Sequence, residues 1–127
     1  MDNTGSKLPP FLDSGILLVD KPSEWTSHAV VNFIRRRFNI EKVGQCGALD
    51  PSATGLLVIV FGKATKLSQT LSSEDKIYEA TILLGTETDS QDMDGTITSE
   101  NDWSYVTDEK ITLVCKEFIG EQYQTPP

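Results

Sequence analysis

From Gly44 to Gly55 the chain reads GQCGALDPSATG, and it then runs straight into LLVIVF, Leu56 to Phe61. The two segments make opposite demands. The first is built of small and turn-forming residues that hold little packing of their own, while six consecutive apolar residues must be buried, as in a core strand closed by Gly62. A fold for this chain therefore carries a thin loop leading into a central strand. Gly44, Gly47 and Gly55 permit tight turns or close approach, and Pro51 stiffens the residue after Asp50. Asp50 in such a loop is either a presented carboxylate or an ordinary Asp-Pro turn bonding its own backbone. The loop alone leaves both open.

The flanking pattern sets a fold class. GILLVDKP is a short apolar run ended by Lys21-Pro22, hence a strand. Thr26 or Ser27 can cap a helix in which Val30, Phe33, Ile34 and Phe38 recur at helical spacing, with Arg35, Arg36 and Arg37 in its last turn. Those arginines either complement the helix dipole or face a ligand. Ala64 to Leu71 reads as a short helix, and KIYEATILLG as a strand with Tyr78, Ala80, Ile82 and Leu84 on one face. Thr107 caps a last helix through Ile111, Val114, Cys115 and Phe118, with Gly120 past its end. Strands and helices alternate unevenly, which indicates an α+β domain over 15–127 after a flexible leader at 1–14.

Charge narrows the partners without naming one. The net charge is -8, yet eight acids lie between Thr86 and Glu109 with no Lys or Arg among them. Between Asp20 and Lys66, by contrast, seven bases face four acids, so a local basic surface for phosphates is compatible with the acidic total. No apolar run is long enough for a bilayer, and two cysteines make neither a disulfide framework nor a zinc site. The expected compartment is the cytoplasm. The DxxDxDG run near Gly95 fails the calcium-loop pattern, with Ser90 first and Asn101 twelfth. His28 is beside Ser27 on a helix, where neighbours do not face each other.

Four ordered blocks carry a resemblance. KVGQCGALDPSATGLLVIVFGKATKL is similar to KxGHxGxLDPxATGxL followed by GxATK, the signature of the TruB family of pseudouridine synthases. GILLVDKPSEWTS resembles that family's G(V/I)LLLDKPxGxTS, DKIYEATILLGTETDSQDMDG its DKxYxxxxxLGxxTDTxDxxG, and FIGEQYQTPP its FxGxxxQxPP. The resemblance implies a mixed, largely antiparallel sheet flanked by helices. It also implies isomerisation of uridine to pseudouridine in the T-loop of tRNA (position 55), without metal or other cofactor, by a protein that is a monomer when full length. Asp50 is then the catalytic nucleophile, and Tyr78 stacks on the flipped base. Gln45 and Lys21 are counted with the substrate-binding residues, Lys21 with Pro22 as support beside the active site. Gly44, Gly47, Pro51 and Gly55 shape the loop.

This sequence departs from the pattern in three places. Gln45 stands where the family usually has histidine, keeping hydrogen bonding but losing a stacking ring, so base flipping is expected to be slower. Glu24 stands where glycine is common. The chain ends at Pro127, before the blocks SAxKxxGxxxY and KGTYIRxLxxDLG, the second of which supplies an arginine to the catalytic aspartate. The expectation is a catalytic domain truncated in its C-terminal half and inactive, or nearly so, by itself. The competing expectation is a non-catalytic remnant that binds RNA or complements a second half-chain.

Overall fold

The computed structural model describes residues 13–123, which fall into two compact units meeting between Ile77 and Tyr78. Most of the leader expected at 1–14, and the end of the last motif block from Gln124, lie outside the described residues. Among those described, no helix is long and apolar enough to cross a membrane.

The first unit is a three-stranded antiparallel sheet with one helix laid across it. Strands β1 (Gly15–Lys21), β2 (Val43–Cys46) and β3 (Gly55–Phe61) are arranged β1-β3-β2, so the LLVIVF run is central. Register follows from side-chain alternation. Leu57, Ile59 and Phe61 point to the face that meets helix α1 (Ser27–Phe38), and with Val30, Val31, Ile34 and Val43 they form the core. Burying each such side chain contributes about 1.5–3 kcal/mol. Thr26 caps α1 by accepting from the Ala29 amide at 3.0 Å, and Asn39 ends it in the left-handed region, donating to the Arg35 carbonyl. Phe33, expected in the helix's apolar stripe, is instead 54% exposed and meets Trp25 edge-on at 5.9 Å. Val31 takes the inward place, packing with Val30 and Ile34 in the core that holds Leu57 and Ile59 of β3.

Beyond β3 the expected short helix divides into a 3-10 turn (Gly62–Leu67) and α2 (Ser68–Ser72). The second unit holds an antiparallel pair, β4 (Thr86–Thr88) with β5 (Ile97–Glu100), and helix α3 (Asp108–Glu117). The turn between β4 and β5 uses its own acids. Asp92 accepts from the Ser90 hydroxyl at 2.6 Å and the Asp94 amide at 3.0 Å, and these bonds hold its carboxyl below the usual carboxylate range. Thr107 caps α3, as its position implied.

Two expectations need correction. The alternating KIYEATILLG stretch is not a strand; regular pairing begins only at Thr86, and Tyr78, Ile82 and Leu83 are exposed. Alternation reports what a segment could bury, whereas a strand also needs a neighbour to accept its ladder. Nor is a mixed sheet present among the described residues, where every strand pair is antiparallel. The α+β class stands.

Candidate active site around Asp50

The loop between β2 and β3 presents Asp50 to solvent, while the main chain on both sides of it is tied down. Asp50 follows Leu49, whose side chain packs against the core. The Ser27 hydroxyl, buried at the first turn of α1, accepts from the Leu49 amide at 2.8 Å and donates to the Leu49 carbonyl at 3.0 Å. On the other side, the Pro51 carbonyl accepts from the Lys21 ammonium at 3.0 Å and from the Glu24 amide at 2.9 Å. A turn within the loop is closed by the Ala53 amide donating to the Asp50 carbonyl at 3.1 Å. An exposed carboxylate on a fixed backbone is the arrangement a nucleophile needs, since little freedom is lost when substrate arrives.

Lys21 does not occupy the place its substrate-binding assignment implied. It is fully buried at the end of β1, and its ammonium also donates to the carbonyls of Pro22 at 2.9 Å and Trp25 at 2.7 Å. Three donors meet three main-chain acceptors, so no proton is left for a phosphate or a base. Its contribution is support, which its motif neighbour Pro22 shares by ending the strand.

The glycines divide. Gly47 and Gly55 take φ of 87° and 109°, a region L side chains rarely enter, and they set the bends into and out of the loop. Gly44 lies within β2, where an added Cβ would meet Val60 at an ordinary 3.7 Å; it does not shape the loop. Pro51 serves chiefly through its carbonyl, the acceptor shared by Lys21 and Glu24. Glu24 itself sits at φ 67°, which explains why a glycine suits that position.

Gln45 lies on β2 opposite Ile59, so its side chain shares the face on which α1 packs. Its Oε1 is buried and has no hydrogen-bond partner among the described residues. Tyr78 begins the second unit and is 66% exposed. The structure thus ties Lys21 to Pro51 beside Asp50, while Gln45 lies on β2 in the same unit with no bond to them among the described residues. Sequence reasoning missed Ser27 and Glu24 as parts of the loop's support; the only signal was their place in the DKPSEWTS block. Among the described residues no group of three His, Cys, Asp or Glu could hold a metal ion.

Comparison with known proteins gives this loop its family. The tRNA pseudouridine synthase B of Opitutus terrae is 51% identical over 113 residues, covering 89% of this chain and 47% of the relative. Those of Syntrophotalea carbinolica and Endomicrobium trichonymphae are 46% and 47% identical, over 90% and 89% of this chain and 37% and 49% of their own lengths. The chain thus spans about half the length, or less, of these curated relatives. Residues 35–127 match the profile described as TruB family pseudouridylate synthase (N terminal domain), and the chain belongs to that family.

Proposed function

We propose that this chain serves the isomerisation of uridine to pseudouridine in tRNA, with Asp50 as the nucleophile and the T-loop as its target. The observation that carries this reading is the clamped loop, in which Asp50 stands in solvent between main-chain anchors at Leu49 and Pro51. The chemistry separates a base from its sugar and rejoins it through carbon. A carboxylate can form a covalent intermediate and leave again, on the uracil ring or on the anomeric carbon, so the reaction calls for no redox partner. The target base has to leave its stack to reach such a loop, and an aromatic face lowers that cost. Tyr78 is assigned to that face, and Gln45 to a hydrogen bond with RNA, for which its buried Oε1 has to turn outward as RNA binds. The chemistry belongs in the cytoplasm, with the tRNA T-arm as partner and a monomer as the working form.

For the 127-residue chain by itself, the reading is little or no turnover. Ile16, Leu18 and Leu56 lie on the sheet face opposite α1, and each is roughly half exposed or more, which supports a requirement for further covering. The alternative, a remnant that binds RNA or complements another half-chain, draws on the same exposed face. The test is pseudouridine formation in a T-loop stem-loop RNA. It is run with this chain alone and with this chain joined to the portion of the Opitutus terrae relative that it does not cover. Turnover by the joined protein that disappears in Asp50→Asn supports the proposal. No turnover, or turnover that survives Asp50→Asn, overturns it, and RNA binding without turnover selects the remnant.

A further inference from the structure

The Ser27 hydroxyl uses both of its hydrogen-bonding functions on one residue, and that residue immediately precedes Asp50. Its oxygen takes the Leu49 amide proton at 2.8 Å and its own proton goes to the Leu49 carbonyl at 3.0 Å. No other hydrogen bond to the Leu49 main chain exists among the described residues. We propose that Ser27 is a positioning residue for Asp50, fixing from helix α1 the direction in which the loop presents the carboxylate. The inference rests on the reading of Asp50 as nucleophile.

Three observations give the clamp its rigidity. Ser27 is 4% exposed and sits in the first turn of α1. That helix is anchored through Val30, Val31 and Ile34 to the core it shares with Leu57 and Ile59 on β3. Leu49 also packs against this core, so its peptide is held from the side-chain end and the main-chain end at once. The loop's other anchor, Pro51, is held by Lys21 and Glu24 from the end of β1. Asp50 is therefore suspended between a helix and a strand that meet in a single core, and a carboxylate held this way reaches a reacting atom at fixed geometry. Ser27 itself is no catalytic residue, because both functions of its hydroxyl are engaged with main chain in a buried place.

Removing the hydroxyl leaves the Leu49 amide and carbonyl without partners and frees the peptide before Asp50. The experiment uses this chain joined to the remaining portion of the Opitutus terrae relative and compares Ser27→Ala, Ser27→Cys, Thr26→Ala and Asp50→Asn. Ser27→Cys keeps the volume but has a weak donor and acceptor, so it reports on the bonds even where Ser27→Ala does not fold. In Ser27→Ala and Ser27→Cys, kcat is expected to fall on the order of 10- to 100-fold, with KM changing less than about twofold. The Leu49 amide, followed by NMR, exchanges with solvent at least about 10-fold faster in the same variants. Thr26→Ala weakens the same helix start without touching Leu49, and keeps kcat within about twofold. Wild-type kcat in Ser27→Cys, or an equal loss in Thr26→Ala, overturns the positioning role. Faster Leu49 exchange with unchanged kcat overturns it as well and leaves the Asp50 reading intact. Activity in Asp50→Asn removes the reading of Asp50 itself, whatever Ser27 does.

Discussion

The Lys21 ammonium and the Pro51 carbonyl, 30 residues apart in sequence, meet at 3.0 Å and join the end of β1 to the loop that presents Asp50. Lys21 reaches no carboxylate among the described residues; its charge is met by three carbonyl dipoles in a fully buried place. Such a cation is tolerated only while each proton has a partner. Lys21→Met fills similar volume and strands all three carbonyls, so stability falls by about 3 kcal/mol in urea unfolding. Lys21→Arg does not rescue it, because a planar fork cannot point three donors at three converging carbonyls. Wild-type stability in either variant would show that the three bonds are dispensable.

Glu24 gives a prediction of opposite sign. Its φ of 67° costs an L residue about 1–2 kcal/mol. Glycine relieves that cost and adds roughly 0.5–1 kcal/mol of unfolded-chain entropy. Glu24→Gly is therefore expected to stabilise the chain by about 0.5–1 kcal/mol. The Glu24 amide still donates to Pro51, so the loop's geometry is unchanged. A lower midpoint in thermal unfolding would count against backbone strain at this position.

How far the sequence revealed this site depends on the kind of interaction. The strand Gly55–Phe61 and the Thr26 and Thr107 caps were legible, because apolar runs and capping residues act locally, whereas glycine spacing left Asp50 open between a presented carboxylate and a plain turn. Phe33 and Val31 were exchanged, since helical periodicity admits neighbouring stripes and only the shape of the facing strand selects one. The supposed strand around Tyr78 failed for lack of a partner. Lys21 was counted both with the substrate-binding residues and as support beside the site, and only its burial against three carbonyls, a tertiary fact, separates the two. Ser27 bonding to Leu49 spans 22 residues and leaves no periodic mark.

The two cysteines should differ in reactivity. Cys46 is buried on β2, and burial pushes its thiol above the usual range, so less of it is thiolate at any alkaline pH. Cys115 is exposed on α3. Iodoacetamide at pH 8 is expected to label Cys115 promptly and Cys46 only after denaturation, as read by peptide mass. The same burial carries a pH sign. The unfolded thiol ionises first, so stability falls as pH rises above the ordinary thiol pKa. Cys46→Ala removes that alkaline loss, and an unchanged pH profile in this variant would exclude Cys46 as its source.

Gln45 separates stability from function most sharply. Its buried Oε1 has no partner among the described residues, a condition that costs about 1–3 kcal/mol. Gln45→Met keeps the length, removes the orphaned acceptor and is expected to raise stability by about 1 kcal/mol. If that acceptor is held ready for RNA, the same variant lowers the single-turnover rate of the joined protein on the T-loop stem-loop. Gln45→His restores a ring that can stack and hydrogen-bond, and is expected to raise that rate above the parent's by several-fold, on the order of 1 kcal/mol in the flipping step. A stabilised Gln45→Met with undiminished turnover would reduce Gln45 to a packing residue. No gain in Gln45→His would mean that base flipping is not what this position limits.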